Sequence, residues 1–214
     1  LPGADQLKAC TLASLETWAS FRDPNSGHTA HVTRLAMQLY DGLKRESIVA
    51  SGDAENGRFI LHAAAILHNV GLASGGRRHR KTTYGMIRKL EPPLCYTAES
   101  LRLAAVVARY HRGAFPRLNH RTFTSLSEIQ RQTTILDAAI LRLAAAFESG
   151  RDQRIRRLEV RKTGGTVLIS ADGYGQDDPL AEKLARARYP LEVACQMPVL
   201  IVGGDPGPEA QVAN

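Results

Sequence analysis

The 214-residue chain is long enough for one large domain, or for one domain with a small appendage. Its 43% hydrophobic residues are ordinary for a globular protein, and no apolar run reaches the roughly 18 residues that a membrane-spanning helix needs. A formal net charge of +7 and a sequence pI of about 9.6 favour an anionic partner, and three scattered cysteines argue against a zinc ribbon or a disulfide framework. We expect free thiols in a reducing cytoplasm, no membrane partner and, because the first residue is Leu1, an excised or processed chain.

The first 150 residues alternate helical apolar patterns with breaks that contain glycine or proline. The predicted helices cover residues 7–20, 28–43, 58–70, 82–90, 97–111 and 125–147. Asn25 or Ser26 can cap the second helix, and Thr97 begins the fifth with an acid in its first turn. The last helix is predicted to break near Gln132.

The pattern changes after residue 150. Alternating β-branched residues on both sides of Gly164-Gly165 predict two strands joined by a tight turn. A helix over 178–196 and a short strand over 198–204 follow. We therefore predict a mainly α protein with three parts: an all-helical domain over 1–150, a small α+β appendage (strand-strand-helix-strand) over 151–203, and a flexible tail over 204–214.

Several histidines could contribute to a metal site, since hydrolases use His and carboxylate ligands to lower the pKa of a metal-bound water. His28, His68 and His111 lie on or beside three different predicted helices. Asn69 follows His68 where a His-Asp pair would supply a charged ligand, and an amide offers only a neutral oxygen. We therefore expect no metal, and if one binds, it uses these four residues. Asp137 is the remaining candidate acid on the late helix.

Each histidine also has an ordinary structural explanation. His111 near a helix end is favourably placed there when it is protonated, and His31 is expected to be exposed. His68 at the end of an apolar helix is typical of a core or capping histidine. Only the combination of these residues favours a site.

Four stretches occur in one order with suitable gaps: GHTAHVTRLAMQLYDGL, LHAAAILHNVGLASGGRRHRKTTYGMIRKL, AAVVARYHRGAFP and LDAAILRLAAAFE. Together they resemble the C-terminal HD-like domain of the exopolyphosphatase and guanosine pentaphosphate phosphohydrolase family. His28 and His68 match the family pattern, whereas Asn69, Lys81 and Ala145 stand where the family has Asp, a second loop His and a late Asp. The resemblance implies an HD-domain-like helical bundle with a degenerate metal motif, followed by the small α+β unit.

In this family, hydrolysis belongs to an N-terminal pair of actin-like domains, whose phosphate loops this sequence does not show. The resemblance therefore implies a C-terminal domain of an exopolyphosphatase-like protein that is non-catalytic by itself. It implies binding of polyphosphate or a related phosphate-rich anion, a homodimer, and an actin-like catalytic pair in the full-length protein. Whether the chain alone is an enzyme stays uncertain, and no cofactor is expected.

Three basic clusters could bind polyphosphate, because a chain of phosphates is recognised by Lys and Arg side chains. The first cluster lies within residues 77–81 and the second within residues 109–121, and in the HD layout both flank the cleft where a metal would bind. The third, over residues 151–162, is interpreted as an ordinary solvated surface. The expected anion-binding residues are Arg77, Arg78, His79, Arg80, Lys81, Arg109, His111, Arg112 and Arg117.

Two other functions stay open. The chain could be a free-standing metal-dependent HD phosphohydrolase that uses Mg or Mn, or it could be a module that binds an alarmone or a nucleic acid. Aromatic residues are few among the basic clusters, which argues weakly against stacking on single-stranded bases.

Overall fold

A computed structural model describes residues 3–49, 54–74, 79–175 and 179–204, and the structural statements below concern these residues. A helical body comes first in the chain, and a unit of strands with one helix follows it. The helices of the body are α1 (Ala4–Ser20), α2 (Ser26–Arg45), α3 (Ala54–Leu67), α4 (His79–Arg88), α5 (Ala98–Tyr110), α6 (Arg121–Thr124) and α7 (Glu128–Phe147). The predicted mainly α architecture with a small α+β unit is confirmed.

Side-chain caps fix the starts of α5 and α7. The hydroxyl of Thr97 accepts a hydrogen bond from the Ser100 backbone N–H at 3.0 Å. The hydroxyl of Ser127 accepts one from the backbone of Gln130 at 3.3 Å, and the Gln130 side chain accepts the Ser127 N–H in return. The predicted break near Gln132 is wrong, because α7 contains neither glycine nor proline and packs along α2, α5 and α8 without interruption.

The sheet unit consists of β1 (Arg157–Thr163), β2 (Thr166–Asp172), α8 (Ala181–Cys195) and β3 (Val199–Gly203). β1 and β2 form the predicted hairpin, and both residues of the Gly164–Gly165 turn have positive φ angles, which glycine adopts without strain. β3 pairs with β2 in parallel, so the strand order is β1-β2-β3. The predicted order of strand, strand, helix and strand is therefore found.

One hydrophobic core runs through both the helical body and the sheet unit. It joins Leu35 and Leu67 of the body with Ile169 and Leu191 of the sheet unit, and all four are fully buried. Gly42 allows α2 to approach β1, since a Cβ at this position would overlap the side chain of the strand. α2 also packs against α3 and α7, and α3 packs against α5, which brings together the elements that carry the histidines.

Within the described residues, no single helix has both the length and the apolar character needed to cross a membrane. Two consecutive segments, 56–74 and 79–88, meet these criteria only when taken together, and a bend of 120° separates them.

Candidate functional site

Three of the predicted histidines meet at one point of the helical body. His28 lies in the first turn of α2, His68 directly follows α3, and His111 follows the last residue of α5. The ring centroids of His28 and His68 are 6.4 Å apart, and those of His68 and His111 are 4.9 Å apart. All three are buried, with exposed fractions of 7%, 0% and 1%. His79, the first residue of α4, lies 6.2 Å from His111.

The two deepest imidazoles have the same hydrogen-bond pattern. Nδ1 of His68 lies 2.6 Å from the carbonyl oxygen of Ala65, and Nδ1 of His111 lies 2.7 Å from that of Ala108. A carbonyl oxygen only accepts, so each Nδ1 carries the proton and donates it. Nε2 of each ring is then an acceptor, and both Nε2 atoms are buried without a hydrogen-bond partner among the described residues.

Burial lowers the pKa of both His28 and His68 to about 4, and it lowers the pKa of His111 well below the ordinary value. The positive charges of Arg151 and Arg112 contribute at His28. All three imidazoles are therefore neutral near pH 7. The interpretation of His111 as a protonated helix-end residue is wrong, because complete burial outweighs the favourable position at the helix terminus.

Asn69 is held by a short relay of hydrogen bonds. Its Nδ2 donates to the hydroxyl of Thr29 at 3.0 Å, and this hydroxyl in turn donates to the carboxylate of Asp23. The second carboxylate oxygen of Asp23 accepts the backbone N–H of Asn25 at 2.9 Å. Asp23 is 5% exposed and raises the pKa of both His28 and His68. A negative charge thus lies behind position 69, supplied by a residue that the sequence patterns did not indicate.

Glu148 is a second acid that the sequence analysis missed. It follows α7 directly, is completely buried, and places one carboxylate oxygen 3.7 Å from Nδ1 of His28 and the other 3.6 Å from Nε2 of His31. These separations exceed hydrogen-bond length, so the contacts are electrostatic, and burial raises the pKa of Glu148. Glu148 lies three residues after Ala145, which is one helical turn, and this spacing could have indicated it.

The expectation that His31 is exposed is wrong, since it is only 6% exposed. Its Nε2 donates to the carbonyl oxygen of Ile155 at 2.9 Å, and its Nδ1 accepts from Arg34 at 2.9 Å. His31 therefore joins α2 to the segment that leads into β1.

Asp137 does not supply the missing late acid. It is fully buried on α7, and neither carboxylate oxygen has a hydrogen-bond partner among the described residues. Burial alone raises its pKa well above the ordinary value. The pKa values of the histidines show no influence of its charge, so Asp137 is a core residue rather than part of the histidine site.

Several arginines lie near His28, His68 and His111, which we refer to as the histidine cluster. Arg80 in the first turn of α4 donates to the carbonyl oxygen of Arg112, directly after His111. Gly113 permits this contact, since its φ is +73° and a Cβ there would overlap the Arg80 guanidinium. Arg142 on α7 donates to the carbonyl oxygen of Tyr110 at 2.8 Å. Two arginines thus bind backbone carbonyls at the end of α5.

Arg151 completes this group from the loop that follows α7. Its φ of +59° is in the left-handed region, and its guanidinium lies 3.5 Å from the side-chain oxygen of Asn25, beside the start of α2. Its charge lowers the pKa of both His28 and Arg112. The sequence analysis interpreted this part of the chain as solvated, and only the fold brings Arg151 to the cluster.

These four arginines form no ion pair with an acid in the part of the chain that the structure describes. Arg112 is exposed to solvent, yet desolvation by the surrounding protein, followed by the charges of Arg151 and Arg80, lowers its pKa. Burial and the charge of Arg80 lower the pKa of Arg142 to about 10. Their mutual repulsion is therefore not balanced by neighbouring carboxylates. We refer to Arg80, Arg112, Arg142 and Arg151 as the arginine cluster.

The other predicted anion-binding residues are placed differently. Arg109 lies against the ring of Tyr84, 5.3 Å from its centroid, and not against the histidines. Lys81 on α4 and Arg117 in the loop after α5 are exposed. Of the predicted set, the arginine and histidine clusters therefore contain Arg80, Arg112, His111 and the neighbouring His79. Arg77 and Arg78 lie outside the described residues.

The donor set does not fit a divalent cation. No three His, Cys, Asp or Glu side chains of the described ranges are placed to hold one metal ion. The amide of Asn69 is engaged with Thr29, and Arg112 places a positive charge near all three imidazoles. We therefore derive no metal chemistry from this site.

The family model for "Ppx/GppA phosphatase, domain III" matches residues 14–183, which is most of the chain. The chain therefore belongs to this family of exopolyphosphatase-like proteins, and the predicted resemblance is confirmed. A search of curated proteins gave no match.

Proposed function

We propose that this domain III binds polyphosphate, or a related phosphate-rich anion, and is not catalytic by itself. The observation that carries the proposal is the arginine cluster, in which four cations lie near one another without a carboxylate partner in the described ranges, and in which Arg112 and Arg151 also act on the neutral His28. Accumulating like charges is unfavourable unless an anion balances them. Phosphate oxygens match the fork of donors that a guanidinium presents.

Polyphosphate suits this surface better than a compact anion does. The exposed Lys81 and Arg117 extend the positive surface away from the cluster, and the whole chain carries a net charge of +7. A ligand with a charge on every phosphate and no sequence to read can contact such a surface along its length.

The proposed lack of catalysis rests on the site itself. Asn69 is tied into the relay with Thr29 and Asp23, and the described donors do not converge on a cation. We propose that hydrolysis, in the full-length protein, belongs to an actin-like domain pair and that this domain supports a homodimer. The alternatives are a metal-dependent phosphohydrolase using Mg or Mn and a module for an alarmone or a nucleic acid.

The proposal is tested by measuring the affinity of the protein for long-chain polyphosphate at 50 and 200 mM salt. For about four phosphate contacts, counterion release predicts a loss of affinity of about 50-fold between these concentrations. Arg112→Gln should weaken binding. The control Arg186→Gln, which changes an exposed arginine paired with Glu182 on α8, should not. An affinity that is independent of both salt and Arg112 would refute the proposal.

Two further measurements separate the alternatives. Competition among polyphosphate, guanosine tetraphosphate and RNA identifies the preferred anion. Stoichiometric Mn or another transition metal in the purified protein, together with phosphatase turnover, would favour the metal-dependent enzyme over a binding domain.

A further inference from the structure

We propose that the histidine and arginine clusters together bind a terminal phosphoryl group: orthophosphate, pyrophosphate or the end of a polyphosphate chain. Its charge is held by Arg112 and Arg151, and its single P–OH group donates to one of the two Nε2 atoms, that of His68 or that of His111. This inference rests on the proposed function and narrows it from a phosphate-rich anion to one kind of phosphate group.

Two imidazole nitrogens of the histidine cluster are acceptors that lack a hydrogen-bond donor among the described residues. Nε2 of His68 and Nε2 of His111 are buried and without a partner among the described residues, while both Nδ1 atoms already donate to backbone carbonyls. A buried acceptor without a donor is costly, so these atoms call for a ligand that brings a proton. The two rings have centroids 4.9 Å apart, so both can lie beside one ligand, whose single proton satisfies one of the two acceptors.

Interior and terminal phosphates differ in their ability to donate a hydrogen bond near neutral pH. An interior phosphate of a polyphosphate chain has a single acidic proton and loses it well below neutral pH, so it only accepts. A terminal phosphoryl group has a second proton with a pKa of about 6, so about a quarter of such groups keep a P–OH at pH 6.5. Only the terminal group therefore offers negative charge to arginine and a donor to imidazole at the same time.

The arginine cluster can balance the negative charge of the phosphoryl group. Arg80 and Arg142 are already bound to backbone carbonyls, and they hold the segment from Tyr110 to Arg112 in place. Arg112 and Arg151 come from two separate loops. Arg112 lowers the pKa of all three histidines and Arg151 lowers that of His28, so Arg112 lies within electrostatic reach of the three rings and Arg151 within reach of His28. One phosphoryl group between them would neutralise two cations that the described residues leave without an acid.

The loop after α7 has an unfavourable backbone conformation that positions Arg151. Arg151 and Gln153 both adopt left-handed φ angles, of +59° and +54°, which are unfavourable for residues with a Cβ. This backbone conformation directs the Arg151 side chain back to the start of α2, beside Asn25.

The experiment compares pyrophosphate with cyclic trimetaphosphate by calorimetry on the whole chain at pH 6.5. Trimetaphosphate has only interior-type phosphates, and it carries no less negative charge than pyrophosphate. We expect pyrophosphate to bind at least tenfold more tightly, because a purely electrostatic surface would favour the more highly charged ring.

The matched variants are Arg151→Gln and Arg156→Gln, which change two arginines of the same connecting segment. Arg156 is exposed and takes no part in the cluster. Loss of one charge-assisted contact should weaken pyrophosphate binding about tenfold in Arg151→Gln and leave it unchanged in Arg156→Gln. Urea unfolding midpoints of both variants establish that each is folded at the temperature of the measurement.

Failure of this inference is distinct from failure of the proposed function. If long-chain polyphosphate does not bind at 50 mM salt, the proposed function and the inference both fail. If it binds, but trimetaphosphate equals or exceeds pyrophosphate, the terminal-group inference alone is overturned. An unchanged pyrophosphate affinity in Arg151→Gln has the same meaning.

Discussion

The substitution Asn69→Asp recreates a His-Asp pair, yet we expect it to destabilise the protein and to leave it without hydrolytic activity. Asn69 donates to the hydroxyl of Thr29, which donates to Asp23. With a carboxylate at each end of this relay, one hydroxyl proton serves two acceptors, so one carboxylate loses its donor. The late position of the family pattern, Ala145, also stays without an acid.

The magnitude follows from two contributions. A buried acceptor that loses its donor costs about 1–3 kcal/mol. Two carboxylates on one hydroxyl lie roughly 5 Å apart, and they repel by about 3 kcal/mol at an effective dielectric constant near 20. The nearby charge of Arg112 offsets part of this repulsion, so we expect a loss of about 3–5 kcal/mol of unfolding free energy at pH 7.5. This is a large part of the stability of an ordinary domain.

The assay is urea unfolding of four proteins: the parent, Asn69→Asp, Asp23→Asn and the double variant. In the double variant, the amide at position 23 donates to Thr29, whose hydroxyl then donates to the acid at position 69, so the relay runs in reverse. The double variant should exceed the additive expectation by at least about 2 kcal/mol. The reasoning is refuted if Asn69→Asp is as stable as the parent, or if the two substitutions are additive.

Three further predictions concern stability. Asp137→Asn should raise the free energy of unfolding by about 1–3 kcal/mol at pH 7.5. The reason is that the raised pKa of Asp137 makes the parent less stable as pH rises above about 4. A gain of the same size at pH 4 would contradict the prediction. In the Asp137→Asn variant, the free energy of unfolding should fall as pH decreases from 6.5 to about 4, because the unfolded chain binds protons that the folded imidazoles do not. The expected loss is roughly 3 kcal/mol for His68 and less for the slightly exposed His28. Urea midpoints that do not change with pH would exclude this prediction. Gly113→Ala should lower the melting temperature, because a Cβ there would overlap the Arg80 guanidinium and the φ angle is positive. The control Gly85→Ala lies in open space on α4 and should not lower it. Equal effects would show that the close approach of Arg80 to Gly113 is unimportant.

Local signals were sufficient for most secondary structure. The apolar spacing predicted α2 and α5 to within a few residues, because one buried face repeats every three to four positions. Gly164-Gly165 predicted the hairpin, because a two-residue turn needs positive φ angles. The supposed break in α7 failed for the opposite reason: polar residues near Gln132 weakened the apolar pattern, while the packed helix continues through them.

The sequence by itself determined the family, the mainly α fold and the convergence of His28, His68 and His111, because ordered motifs with fixed spacing survive in the chain. It did not indicate Asp23, which lies outside the four matching stretches, and it left Glu148 unassigned at the end of the last one. Arg151 was likewise placed at the cluster only by the tertiary structure. Charge balance depends on distances between segments far apart in the chain, and burial then fixes the protonation state of every group among them.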